Sequence, residues 1–226
     1  MASAFRTNGK KIVAIGRNYA AHALELKNAI PTEPFFFLKP TTSYLSDQGT
    51  VQIPKGVECH YEVELGVVIG KLTKDVDRSH ALDHVGGYAL SIDMTARNLQ
   101  EKVKSKGLPW SSAKGFDTFN PVSDFIPKET IPDPARDLRL WLKVNDQLRQ
   151  DGKTDEMIFD VPTLIEHVSS IMTLEEGDLL LTGTPSGVGR VVAGDVMTAG
   201  LEHGGKLLKQ LRINVADRVG GYEFKP

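Results

Sequence analysis

In the stretch His60-Tyr61-Glu62-Val63-Glu64-Leu65-Gly66-Val67-Val68-Ile69, two carboxylates stand one residue apart. Side chains of an extended strand alternate in direction, so Glu62 and Glu64 point to the same face. Placed side by side before an apolar run, they repel and raise each other's pKa unless a cation neutralises them. Taken alone, the stretch reads equally well as a metal site or as a solvated strand edge with alternating charge. Asp93 brings a third carboxylate at the end of the run Gly87-Tyr88-Ala89-Leu90-Ser91-Ile92, where it can serve as a ligand or cap the helix that follows. Oxygen donors without cysteine or paired-histidine spacing favour magnesium or manganese over zinc, with water or substrate completing an octahedron at about 2.0–2.1 Å.

Other residues offer proton transfer and anion binding. His22 and Glu25 are three apart, on one face if the segment is helical, and a carboxylate beside an imidazole fixes its tautomer and raises its basicity. That pair suits a general base that activates water near neutral pH, and it suits a surface helix contact too. Lys114, among the small residues of Trp110-Ser111-Ser112-Ala113-Lys114-Gly115, reads as a loop cation for an enolate oxygen or as a solvated lysine. Arg97 and Gln100 are helix neighbours that either clamp a carboxylate or form an exposed polar face. The glycine-rich turn Leu181-Thr182-Gly183-Thr184-Pro185-Ser186-Gly187 lacks the spacing of a phosphate cradle, and Pro185 removes a donor. The Thr184 hydroxyl or nearby N–H groups remain available to a small carboxylate, with an ordinary tight turn as the alternative.

The elements that must position these groups are mostly strands. Apolar runs bounded by Gly, Pro and Asp predict strands at Ile12 to Ile15, Pro34 to Leu38, His60 to Ile69, Gly87 to Ile92, Leu138 to Val144, Asp178 to Leu181 and Leu207 to Val215. Helices are expected at Tyr19 to Asn28, Thr95 to Lys106 and Pro162 to Met172, the last opened by a first-turn proline. Pro121 to Pro134 reads as a proline-rich loop. The expectation is an α+β, β-rich fold with peripheral helices, forming a single catalytic domain over residues 1–226 with a short N-terminal extension at 1–10.

Composition narrows the function classes. With 226 residues, 40% hydrophobic and 25% charged, the chain can bury a substantial core. A formal charge of -2 gives no net field to gather phosphates, which argues against nucleic acid as a partner. The single cysteine, Cys59, excludes an intrachain disulfide framework. No apolar run approaches the roughly 20 residues of a membrane span. The first 24 residues contain no Asp or Glu, a faint transit-peptide character with no clear cleavage site.

Gly16-Arg17-Asn18-Tyr19-Ala20 with His22 and Glu25, Phe37-Leu38-Lys39-Pro40, Glu62-Val63-Glu64, Asp93-Met94-Thr95-Ala96-Arg97, Gly107-Leu108-Pro109-Trp110 and Leu181-Thr182-Gly183-Thr184-Pro185 together resemble, in the same order, the fumarylacetoacetate hydrolase superfamily. The chain is most similar to its short acylpyruvase and oxaloacetate decarboxylase-tautomerase branch, from about Lys11 to the C-terminus. The resemblance implies a mixed β-roll, a homodimer, and Mg²⁺ (or Mn²⁺) held by Glu62, Glu64 and Asp93. It implies that Lys114 faces the substrate and that His22 and Glu25 sit on a lid. Arg17, Arg97, Gln100 and Thr184 fall at positions near a bound oxo acid. One departure is that His60 is followed by Tyr61 where the family pattern has a second histidine. The implied activity is hydrolysis of an acylpyruvate to pyruvate through an enolate stabilised by the metal, accompanied by oxaloacetate decarboxylation. Oxaloacetate keto-enol tautomerisation is the alternative, and a 2-oxo acid binding protein without turnover stands behind both. Mitochondrial relatives point to the mitochondrion, with the cytoplasm open.

Overall fold

The computed structural model describes residues 2–25 and 29–225. Strand Val63–Ile69 is buried along its whole length, the pattern of a strand covered on both faces, and it lies in the middle of a mixed sheet. The order in that sheet is Ile126–Pro127, Val85–Ile92, Val63–Ile69, Leu179–Leu181, Ile12–Gly16 and Phe35–Lys39. Ile12–Gly16 runs parallel to Leu179–Leu181, and the other neighbours are antiparallel. A second sheet has the order Gln147–Lys153, Leu138–Val144, Val196–His203, Lys206–Asp217 and Thr50–Ile53. Leu138–Val144 alternates buried with half-buried residues, as a strand with one face on a core must.

The main core draws on both sheets. Val13, Ile15, Leu65 and Val67 from the first join Leu140, Leu142, Ala199 and Ile213 from the second in one apolar cluster. Alternation sends Ile12, Ala14, Leu179 and Leu181 to the opposite face, where Phe5 of the short helix Phe5–Asn8 covers them. Residues 2–10, expected as an extension, therefore pack on the body, and Arg6 and Lys10 add ion pairs to Asp124 and Glu175. Helices are few and peripheral: Ala20–Glu25, Arg97–Lys104 and Val161–Ile171, the last capped by the Asp160 carboxylate accepting from Thr163 N–H, with Pro162 in its first turn. This is the β-rich α+β architecture expected. Among the described residues no helix is long and apolar enough to cross a membrane.

Three differences from the sequence reading bear on the site. The expected strand from His60 to Ile69 is two strands, Cys59–Tyr61 and Val63–Ile69, which belong to different sheets and meet at Glu62. The helix expected from Thr95 begins at Arg97, because Thr95–Ala96 pairs as a short strand with Cys59–Tyr61. Lys114 ends a single helical turn, Ser111–Lys114, where a loop was expected. The helix beginning near Tyr19 is described as Ala20–Glu25, and its expected continuation over 26–28 lies outside the described residues.

Candidate metal centre and substrate cavity

The three carboxylates converge through cross-strand register. Val63 pairs with Ile92 and Glu64 with Ser91 in the large sheet, and His60 pairs with Thr95 in the small one. Glu62 and Asp93 face each other at the break between the two sheets, where Asp93 N–H donates to the Glu62 carbonyl at 2.8 Å. Both strands pass from the large sheet to the small one at that pair, and Glu64 stands one alternation further along. Carboxylate oxygens of Glu62, Glu64 and Asp93 lie within 4.8 Å of one another, and all three side chains are buried.

Buried carboxylates require partners, and cations surround these. Lys114 is 1% exposed, which removes the solvated-lysine alternative. Its ammonium donates to Glu62 Oε2 at 2.8 Å and to Asp93 Oδ2 at 2.5 Å, and it lies 4.9 Å from the centroid of the Phe37 ring. Lys39, also fully buried, donates to Asp93 Oδ1 and, at 2.7 Å, to the Phe119 carbonyl. Arg97 donates to Glu62 Oε1, to Gln100 Oε1 at 2.5 Å and to His60 Nδ1 at 3.4 Å, and Thr95 Oγ1 donates to Glu62 Oε1 at 3.0 Å. Among the described residues, Glu64 accepts a hydrogen bond from the Gly183 N–H at 2.7 Å.

The titration tendencies follow from these surroundings. Burial alone would raise Glu62, but the charges of Lys114 and Arg97 outweigh it and hold this carboxyl well below its usual range. Burial, reinforced by the negative charges of Asp93 and Glu62, pushes Glu64 well above it. Burial lowers Lys39, whereas Asp93 and Glu62 overcome burial at Lys114 and raise it. A carboxyl driven toward protonation inside an all-oxygen donor set fits a hard divalent cation, which would hold Glu64 in its ionised form.

His22 is buried, with Nδ1 3.4 Å from Glu25 Oε2. The same Glu25 carboxylate accepts the Gly187 N–H at 3.1 and 3.2 Å, tying the helix to the turn that carries Thr184. Burial lowers the His22 pKa below 6.5 against the opposing pull of Glu62 and Glu25. Glu62, Glu64 and Lys114 line a small cavity open to solvent, whose walls include Arg17, His22, Arg97, Gln100 and Thr184. Asp93 and Glu25 do not line it and act on it through Lys114 and His22. Phe37 and Trp110 supply an apolar wall, their rings 5.4 Å apart. Arg17 adopts a positive φ of 55° and places its guanidinium 5.4 Å from the centroid of the Phe35 ring. The Thr184 hydroxyl donates to the Val63 carbonyl at 2.8 Å and accepts from Gln150 at 2.8 Å, so its proton is already engaged. Tyr61 is buried with its hydroxyl against Gly189, away from the carboxylates. Cys59 is buried with its thiol pushed up to about 12, which makes it a poor nucleophile at neutral pH.

Two residues were absent from the sequence-derived site. Lys39 ends the strand Phe35–Lys39, and a lysine closing an apolar run was the signal available. Asn18 links the loops around the cavity. Its amide donates to the Thr182 and Phe159 carbonyls at 2.8 and 2.9 Å and accepts the Phe159 N–H at 2.8 Å.

Comparison with known proteins agrees with this arrangement. The family model described as fumarylacetoacetate (FAA) hydrolase, C-terminal, matches residues 11–212. The chain belongs to the fumarylacetoacetate hydrolase family. Within the family it is 56% identical over 199 residues to a mitochondrial oxaloacetate decarboxylase of Dictyostelium discoideum, covering 87% of this chain and 91% of that one. It is 54% identical over 212 residues to the mitochondrial oxaloacetate tautomerase FAHD1 of Arabidopsis thaliana, covering 93% of each. Among solved structures of the family, it superimposes on the fumarylpyruvate hydrolase of Pseudomonas aeruginosa in complex with Mn²⁺ and pyruvate with a TM-score of 0.84. That pair is 34% identical and covers 93% of this chain and 91% of the other. Enzymes that handle small oxo acids thus surround the chain in its family.

Proposed function

We propose that the chain is a single catalytic unit that binds Mg²⁺, or Mn²⁺ in its place, at Glu62, Glu64 and Asp93, and acts on oxaloacetate as a tautomerase and decarboxylase. The observation that carries this reading is the carboxylate cluster with the Lys114 ammonium lodged between two of its members. Three carboxylates face three cations, Lys39, Lys114 and Arg97, so the site is close to neutral before any metal enters. A divalent cation then leaves an excess positive charge, which a small anionic substrate neutralises.

The bound cation supplies Lewis-acid polarisation of the 2-oxo group. Lys114 places a fixed positive charge beside that oxygen, where negative charge grows toward the transition state. Arg97 and Gln100 act together as one hydrogen-bonded unit on the wall that orients the substrate. His22, with its tautomer fixed by Glu25, removes a proton from C3 and allows it to return at oxygen, which interconverts the keto and enol forms. In decarboxylation the electrons released from the departing carboxylate reach the same oxygen, and no attacking water is needed. The apolar Phe37–Trp110 wall excludes bulk water.

A second reading is acylpyruvate hydrolysis, favoured by the His22–Glu25 pair, which can also activate a water for attack on a distal carbonyl. Side-by-side assays of enol absorbance and pyruvate release with oxaloacetate and acetylpyruvate, with and without Mg²⁺, decide between them. Loss of enol-oxaloacetate faster than pyruvate appears establishes the tautomerase, stoichiometric pyruvate the decarboxylase, and metal-dependent acetylpyruvate cleavage the hydrolase. Absence of any Mg²⁺-dependent change, with Glu64→Gln as the control, would leave a 2-oxo acid binding protein. The family resemblance also supports a homodimer, testable by light scattering, and a mitochondrial address, testable by imaging the tagged full chain.

A further inference from the structure

Helix Arg97–Lys104 runs one of its faces along the cavity. Arg97, Gln100, Glu101 and Lys104 follow the spacing of a single helical stripe, and all four line the cavity. The rise per residue places Lys104 about 10 Å along the axis from Arg97. The stripe therefore leads from the carboxylate floor, where Arg97 meets Glu62, out to the exposed residues Glu101 and Lys104. Helical side chains lean toward the N-terminus, so the Lys104 ammonium tilts back toward the floor.

The cations in and beneath this cavity differ in how they are engaged. Arg97 spends its guanidinium on Glu62, Gln100 and His60, Lys114 on Glu62 and Asp93, and Lys39 on Asp93 and Phe119. Among the described residues, Lys104 is held by Glu101 at 3.6 Å, an exposed pair three residues apart, and such pairs are weak and readily exchanged. Arg17 rests on the Phe35 ring and has no carboxylate partner among the described residues.

We propose that Lys104, with Arg17 as a second cation lining the same cavity, forms a subsite for the distal carboxylate of a dicarboxylic 2-oxo acid. This rests on the reading of the floor as the place where the 2-oxo acid end binds. A substrate with one carboxylate anchors that end at the floor and lays its acyl group on Phe37 and Trp110. A dicarboxylate must also desolvate a second anion near the mouth, and a charge-assisted hydrogen bond from Lys104 compensates that loss of water. Substrate then replaces Glu101 as the partner of Lys104, and Glu101, as a like charge, opposes the dianion. Lys104 thus sets selectivity between oxaloacetate-type and acylpyruvate-type substrates through the distal carboxylate, which in oxaloacetate decarboxylation is also the group that departs.

The test is steady-state kinetics with saturating Mg²⁺ on oxaloacetate and acetylpyruvate, for wild type, Lys104→Gln, Lys104→Arg and Glu101→Gln. In Lys104→Gln the ratio of kcat/KM for oxaloacetate over acetylpyruvate is expected to fall about tenfold, which corresponds to about 1.4 kcal/mol, mainly through the oxaloacetate KM. Lys104→Arg should retain the ratio and Glu101→Gln should raise it, with melting temperatures unchanged because the pair is exposed. A ratio unmoved in Lys104→Gln, or equal losses on both substrates, overturns the inference while wild-type turnover leaves the proposed activity standing. Wild type inactive on both substrates overturns the activity and this subsite together.

Discussion

At the residue scale, the chemistry depends on which groups remain neutral inside the cavity. His22 loses solvent on burial more than it gains from Glu25 and Glu62, so its imidazole is neutral at pH 7 and free to accept a proton. Two consequences follow from that lowered value. The unfolded chain protonates this histidine first, so its contribution to stability is intact above pH 6.5 and declines as pH falls below that point. Activity that needs the neutral form persists below pH 6.5 as well. His22→Ala is expected to lower turnover by about 10²- to 10⁴-fold and to remove the acidic limb of the kcat profile, measured between pH 5 and pH 8. A variant that keeps both the rate and the limb would deny His22 its role as base. Glu25 has a second attachment, to Gly187 N–H, which makes it a positioning group for the helix as well as for the imidazole.

At the element scale, the site exists because two paired strands leave a sheet together. The Glu62–Asp93 pair is the last common point of the large sheet and the small one, and the ladder resumes beyond it with His60 and Thr95. The turn after Leu179–Leu181 completes this corner. Gly183 has φ +93°, a Cβ there would stand 2.8 Å from Asn18 Cβ, and its N–H meets Glu64 at 2.7 Å. Only glycine adopts that backbone without strain. Gly183→Ala should therefore destabilise the fold by about 1–3 kcal/mol and displace the donor that orients Glu64. For a chain of this length the melting temperature should drop by about 2–12 °C. Isothermal titration with Mg²⁺ should show weaker binding in the same variant. Unchanged melting and unchanged affinity would show that the turn tolerates a side chain and does not set the geometry of Glu64.

At the scale of the whole molecule, the cluster brings opposite charges together at a point where five segments distant in sequence meet. Its carboxylates come from strands near 62 and 93, its cations from residues 39, 97 and 114, and its turn from residue 183. A ligand that binds only this assembled state stabilises the entire fold. With Mg²⁺ at about one hundred times its dissociation constant, the gain should be about 2.7 kcal/mol, or roughly 5–11 °C in melting temperature. Scanning calorimetry with Mg²⁺ and then with excess chelator reads this directly, and Glu64→Gln should abolish the shift. An equal shift in that variant would place the bound cation elsewhere.

The sequence by itself determined the kinds of groups available and much of the scaffold. Alternation and turn residues were enough to locate Leu138–Val144 and Lys206–Asp217 to within a few residues, because those strands have one face on the core, and the short continuous apolar run of Ile12–Gly16 located a strand covered on both faces. Gln147–Lys153 escaped because, as a sheet edge, it is polar on both faces, and Val196–His203 because its small residues blur the alternation. The order of the motifs indicated the family, and the spacing of Glu62 and Glu64 suggested a shared face. Only the tertiary structure decided that Glu62 stands at a break between two sheets, directly opposite Asp93. The same is true of the burial of Lys39 and Lys114 against those acids, and of the Asn18 links between distant loops. Lys104 at the cavity mouth could not be distinguished from any other helix lysine. The physical reason is that local periodicity reports which residues share a face of one element. Cross-strand register, desolvation and the pairing of buried charges are set by residues tens of positions apart, and they exist only once the sheets have closed around the core.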